Sequence, residues 1–389
     1  MKASFTAEVL VLVGALAIAA SCAASAQPIS SNNSAPQTTS RDSIFPLHET
    51  STVKIDAELG GVPAATKCDA DGNLFLPGAA AAGPLLGRLL KIDASGKVVA
   101  TYNPADFSQL ALDRADSFTP AADGGVYQIA QKGVFKPDIY VLHFAKDGSA
   151  SSSTHLDAGF EPYTFAAFLD GTFLLSGVKR DLSDKHDHGT NFTAVFTADG
   201  RELSQLSFNK NSSNKSSQPV TTSAAKPVMR SAPATSAAKP KMDKPEAPTL
   251  DLAEAEAGDD GYLYVVRRSS PAFIYVISAS AKIVSTFKVE SPRAGAVPAA
   301  FHLSGNRMAI LFANNDNGDN NDNGDKNNND NKNDGLIAVV DAQTGRRIAS
   351  YSSPSSLGTT FACYSANDGS FTFLRLEEGG TKIVRADSN

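Results

Sequence analysis

Five oxygen-bearing side chains in an Asn/Asp tract stand where a calcium loop places its ligands. Asp319, Asn321, Asn323, Asp325 and Asp330 follow EF-hand spacing around Gly324, with Asp rather than Glu at the twelfth position. Hard oxygen ligands of this kind suit Ca2+, and a glycine permits the sharp turn between them. A tract made almost wholly of Asn, Asp and Gly also meets that spacing by composition, and its flanks read as strands, not helices. The expectation is a solvated loop, with Ca2+ as the alternative cofactor. A second polar cluster, His186-Asp-His188 beside Asp181 and Asp184, offers imidazole and carboxylate for zinc or another transition metal. Its two histidines are two apart and no third ligand is set by spacing, so it reads as a polar hairpin tip.

The other histidines, His48, His143, His155 and His302, are scattered, and His143 lies in the strand-like run Tyr140-Val-Leu-His-Phe144. No Gly-x-Ser-x-Gly elbow, Cys/His pairing or phosphate-cradling glycine loop is found, so no catalytic residue is assigned. Glu161 and Asp113 precede strands that open repeats and could reach a central channel; exposed loop acids are the plainer reading.

These residues are positioned by a repeat. The run Cys68–Tyr102 reads as a turn on Ala70-Asp-Gly72, a strand, a connection, the strand Leu89–Ile92, a turn on Asp93-Ala-Ser-Gly96, and a strand through Val98-Val99 to Tyr102. Similar units open on Gly124, Gly171, Gly261, Gly305 and Gly369. Residues 92–102 match residues 277–287 position by position, with Ala281 standing for Gly96. Evenly spaced strands with glycine turns, repeating every ~40–50 residues, are the pattern of a β-propeller. No long helical period appears in the mature chain, which argues against α/β alternatives. The expected fold is all-β: a six-bladed propeller over 48–389. The sixth copy lacks its outermost strand, and Ser51–Leu59 alternates apolar with polar residues like a blade's fourth strand. It is expected to complete the last blade and close the ring, because an open ring leaves unpaired edges. Cys68 and Cys363 then fall in neighbouring blades, and in an oxidising compartment a disulfide between them would clip the ring shut; two buried free thiols are the other reading.

The N-terminus reads as a signal peptide over 1–26, with an apolar Val9–Ala20 and cleavage after Ala24-Ser-Ala26. Lipoprotein processing at Cys22, giving a membrane-anchored lipoprotein, is the rival. Residues 27–47 read as a disordered tether. Residues 209–249, rich in Ser, Ala, Pro, Lys and Thr, read as a disordered insertion, and 314–334 as an Asn/Asp-rich loop. Setting these apart leaves about 280 residues, about 45 for each of six blades. No later apolar run is long enough for a transmembrane helix. The net charge of −6 is spread along the chain and no basic stripe is present, which argues against a nucleic-acid partner.

The pattern Gly61-Val-Pro63, Asp69-Ala-Asp-Gly-Asn-Leu-Phe75 and Leu89-Leu-Lys-Ile-Asp-Ala-Ser-Gly-Lys-Val-Val99 resembles the six-bladed NHL/TolB-like β-propeller superfamily. The first copy carries the likeness best, and the others match in outline. The resemblance implies a secreted or surface-associated protein that binds proteins or ligands. Some members are metal-dependent lyases or lactonases, and their metal ligands have no position-by-position match here. The function expected is an exported, periplasmic or secreted binding or scaffolding module that holds a protein or small molecule at a propeller face. The alternative is a metal-dependent hydrolase or lyase sited in the central channel.

Overall fold

The structure is a computed structural model that describes residues 43–59, 66–79, 85–133, 138–157, 161–179, 189–206, 255–313 and 334–388. Its hairpins turn on aspartates whose carboxylates accept the backbone N–H two residues on. Asp93 takes Ser95 (2.8 Å), Asp147 takes Ser149 (3.0 Å), Asp170 takes Thr172 (3.0 Å), Asp260 takes Tyr262 (3.1 Å) and Asp368 takes Ser370 (3.1 Å). These local bonds satisfy turn N–H groups that the ladders cannot reach, and they recur because the Asp-Gly signature recurs.

Two strands, β1 (Ile44–Pro46) and β2 (His48–Lys54), precede the repeats. The first blade holds β3 (Lys67–Cys68), β4 (Leu74–Pro77), β6 (Leu89–Ile92) and β7 (Val98–Tyr102), with β5 (Leu85–Leu86) in the β4–β6 connection. The second is β8 (Arg114–Pro120), β9 (Val126–Lys132), β10 (Asp138–Phe144) and β11 (Ala150–Leu156). The third is β12 (Glu161–Ala167), β13 (Phe173–Lys179), β14 (Thr190–Phe196) and β15 (Glu202–Gln205). The fourth is β16 (Glu256–Ala257), β17 (Leu263–Arg267), β18 (Ala272–Ile277) and β19 (Ile283–Val289). The fifth is β20 (Val297–Ser304), β21 (Arg307–Ala313), β22 (Gly335–Asp341) and β23 (Arg347–Ser353). The sixth, β24 (Thr360–Tyr364), β25 (Phe371–Glu377) and β26 (Gly380–Asp387), is completed by β2, which runs antiparallel to β26 from His48↔Asp387 to Lys54↔Lys382.

The blades pack face to face around a ring. Apolar clusters join blade one to two (Phe75, Tyr102, Phe144), two to three (Ile129, Phe165, Phe196), three to four (Ala166, Val195, Val265) and four to five (Ile274, Phe301, Ile310). Others join five to six (Ile337, Phe371, Val384) and six back to one (Leu74, Ile92, Leu374, Ile383). The last of these closes the circle. The chain is a six-bladed β-propeller. Neighbouring blades also meet backbone to backbone. Gly148, at the β10–β11 turn with φ +92°, would bring a Cβ within 2.3 Å of the Thr101 carbonyl oxygen on β7, and Gly96 stands likewise against Lys54 on β2. A side chain at either turn would push two blades apart.

Two differences from the sequence reading concern the N-terminal strand. The segment read as the closing strand, 51–59, holds a strand only to Lys54. At Asp56 the chain bends toward blade one, its N–H donating to the Gly96 carbonyl (2.9 Å). The alternation persists through Ile55, Ala57 and Leu59 because all three pack into the cluster between blades six and one. Residues 44–47, read as the end of a tether, are ordered. β1 runs parallel to the outer edge of blade five, Ile44↔Ser350 to Pro46↔Ser352, and Leu47 is buried among Ile337, Phe371 and Val384. A three-residue strand carries no periodicity to be read, and only the edge of β23 selects it. The N-terminal segment thus seals two successive blades. Arg375 on β25 reinforces the second seal, donating to Glu49 (2.6 Å) on β2 and to Glu377 (2.7 Å).

Candidate functional site

The six inner strands surround the bore, each touching the next: β3, β8, β12, β16, β20, β24 and back to β3. In a six-membered ring β3 and β16 face one another. Lys67 on β3 reaches across, its Nζ donating to the carbonyl of Ala255, the residue ahead of β16 (3.0 Å). Lys67 is only 5 % exposed, and Ala255 is buried. A single side chain therefore spans the bore at this depth. A second filler comes from blade one: β5 pairs parallel with the inner edge of β8, Leu85↔Arg114 and Leu86↔Ala115. Gln128 on β9 donates to the Gly87 carbonyl beside it (3.3 Å).

One corner of the bore gathers the sulfur chemistry. Cys68 on β3 and Cys363 on β24 are joined as a disulfide, with Cα atoms 6.1 Å apart. His302, on β20 of blade five, lies against them. One ligand atom from each of the three residues falls within 4.8 Å of the others, the one such group among the described residues. Cys363 and His302 are buried. The Tyr364 N–H donates to Nδ1 of His302 (3.3 Å), tying blade five to blade six. The reading from sequence paired Cys68 with Cys363 but left His302 among the scattered histidines, and its place beside them was missed. The available signal was positional. Cys68, His302 and Cys363 each stand a few residues ahead of a blade's first glycine turn, at Gly72, Gly305 and Gly369, which puts each on an inner strand.

The remaining candidates disperse. Asp113 is exposed, and its carboxylate accepts the Gly133 N–H (2.7 Å), so it holds a loop instead of facing the bore. Glu161 begins the inner strand β12. His48 opens β2 opposite Asp387. His143 stacks on Tyr127 (ring centroids 4.6 Å apart) with Asp123 Oδ2 2.9 Å from its Nε2. His155 packs edge-on against Tyr140 on the outer face of blade two. The Asn/Asp tract with Asp319, Asn321, Asn323, Asp325 and Asp330, the His186/His188 cluster, Cys22 and the 209–249 insertion lie outside the described residues.

Electrostatics sharpen around the first blade's entry turn. Asp69 accepts from the backbone and amide of Asn73 (2.9–3.1 Å) and pairs with Lys91 Nζ at 2.7 Å. Burial opposes the Asp69 charge, but the Asn73 donors and the Lys91 ammonium outweigh it and hold the carboxyl below its ordinary range. Lys91 also sits 5.2 Å over the Phe75 ring. Burial, followed by the charges of Asp69, Asp123 and Asp147, pushes the Tyr102 phenol up to about 12.

No family model matches the chain, and no curated protein does. Solved structures are similar in fold only. The WD40 domain of Neurospora crassa Pan2 shares 9% identity over 89% of this chain and 97% of that one, with a TM-score of 0.42. A periplasmic gluconolactonase of Pseudomonas aeruginosa shares 13% over 84% and 86%, with a TM-score of 0.41. A protein of unknown function from Bacteroides caccae shares 10% over 75% and 81%, with a TM-score of 0.42. At these scores the likeness adds nothing to the strand order and blade packing already described. Among the described residues no helix is long and apolar enough to cross a membrane.

Proposed function

We propose that the chain is an exported binding or scaffolding propeller of the NHL/TolB-like kind that holds a protein or small molecule on its outer surface. The observation that carries this reading is the Lys67–Ala255 span, which ties opposite inner strands together where a channel-centred substrate would sit. Space for a ligand lies elsewhere. A cleft of about 550 Å3 opens between the closing strand and the β25–β26 hairpin, lined by Lys54, Asp56, Glu58, Leu59, Leu376 and Gly379. That volume is within the range of small-molecule sites. Its lining mixes both charges with Leu376, which is 58% exposed. Export rests on the apolar Val9–Ala20 and the Ala24-Ser-Ala26 site, and N-terminal sequencing of secreted protein should find Gln27 first.

The test uses a photo-crosslinking residue at Leu376 in the native host. The binding reading expects one discrete adduct there and none from the same residue at Val284, which is exposed on blade four. It also expects no turnover of lactones or esters by the purified chain, with or without added Ca2+, Mn2+ or Zn2+. Turnover that Lys67→Met abolishes would refute it in favour of a bore-centred enzyme.

A further inference from the structure

We infer that the Cys68–Cys363 bond is a reducible latch on a soft-metal site completed by His302, at the seam of blades five, six and one. The three ligand atoms already lie within 4.8 Å of one another on three different inner strands. Each strand is fixed by its own blade, so the donors are held before any metal arrives. Two thiolates and an imidazole form the donor set of a tetrahedral zinc site with one open position. That fourth position is left for water or a ligand, as in sites that exchange what they bind.

The sulfurs are unavailable while bonded to each other. A dithiol reductant opens the latch: two electrons and two protons pass to the cystine, giving two thiols, and the reductant leaves as its own cyclic disulfide. Freed, Cys68 finds an acceptor for its S–H in the Ala362 carbonyl, 3.2 Å from Sγ. A divalent zinc-type cation then displaces both thiol protons. His302 supplies the nitrogen. Its neutral imidazole has one lone pair, now taken by the Tyr364 N–H at 3.3 Å, and metal binding displaces that long hydrogen bond. The seam is therefore clipped covalently in one redox state and by a metal in the other.

The experiment uses the full mature chain, reduced with dithiothreitol, desalted without oxygen and titrated with Co2+ as a spectroscopic stand-in for zinc. The reduced protein should take up one Co2+ with a thiolate-to-metal band in the near ultraviolet and tetrahedral visible bands. The oxidised protein should show neither. Cys68→Ser should abolish the thiolate band. His302→Ala should weaken Co2+ binding by about tenfold or more, the loss that even an outer-shell change produces. His302→Gln keeps an acceptor for the Tyr364 N–H, so its oxidised form should melt cooperatively while its reduced form shares the weakened binding. A reduced wild type without the band, whether folded or not, overturns the inference. So does a His302→Gln protein that binds Co2+ as tightly as wild type.

Discussion

Lys91 and Asp69 offer the sharpest test of how the first blade is held. The two side chains are 3% and 14% exposed, and their charged atoms lie 2.7 Å apart. Lys91→Met removes the ammonium and leaves the Asp69 carboxylate facing only neutral donors, the N–H groups of Asp71 and Asn73 and the Asn73 amide. Breaking one side of a buried pair costs about 3–5 kcal/mol, and those remaining donors set the expectation at the low end, about 3 kcal/mol. For a domain of this size that lowers the Tm by about 4–5 °C. Asp69→Asn should cost more. It strands a buried ammonium against the Gly124 carbonyl, a distant acceptor at 3.5 Å on the turn of blade two. The double variant Asp69→Asn/Lys91→Met should recover much of the loss, giving a coupling energy of about 2 kcal/mol. Denaturant unfolding of the four proteins measures all three quantities. If either single variant costs less than about 1 kcal/mol, the range of an exposed pair, the pair does not hold the blade. Strict additivity of the two variants would refute the coupling.

Deleting residues 43–54 should abolish cooperative folding, because it unpairs the outer edges of blades five and six together; a soluble deletion variant with a sharp melt would count against ring closure. Leu47→Ala, at a site 1% exposed, should cost about 3 kcal/mol by the usual large-to-small penalty, read from the unfolding midpoint. Gly148→Ala combines left-handed backbone with a clash on the Thr101 carbonyl and should cost at least about 2 kcal/mol, and a thermal shift below 2 °C would contradict the close blade contact. Acid should destabilise the protein. The Ser365 hydroxyl and the Ser370 N–H hold Asp368 low, and Asp69 is lowered as described, so their stabilisation is present above about pH 4 and lost as pH falls through the folded values. An unfolding midpoint that stays flat from about pH 6 to pH 2 would refute this. At the alkaline end the raised Tyr102 phenol gives the opposite sign. Its contribution is complete below about pH 10 and fades toward pH 12, which ultraviolet titration of wild type against Tyr102→Phe would show.

The turn chemistry and the blade count were legible in the residues themselves. Asp-Gly pairs ahead of apolar runs specify hairpins locally, and the match of 92–102 to 277–287 exposed the repeat. Six such units, one short of a strand, led to a ring closed by the N-terminal segment, since unpaired edges are costly wherever they lie. What the residues could not show is how inner strands from separate blades meet. Lys67 reaches Ala255 across 188 positions, and His302 joins cysteines from two other blades. No local period encodes these contacts, because their geometry exists only once six blades have packed around one axis. β1 is the same case: three residues without pattern, given a place by the free edge of β23.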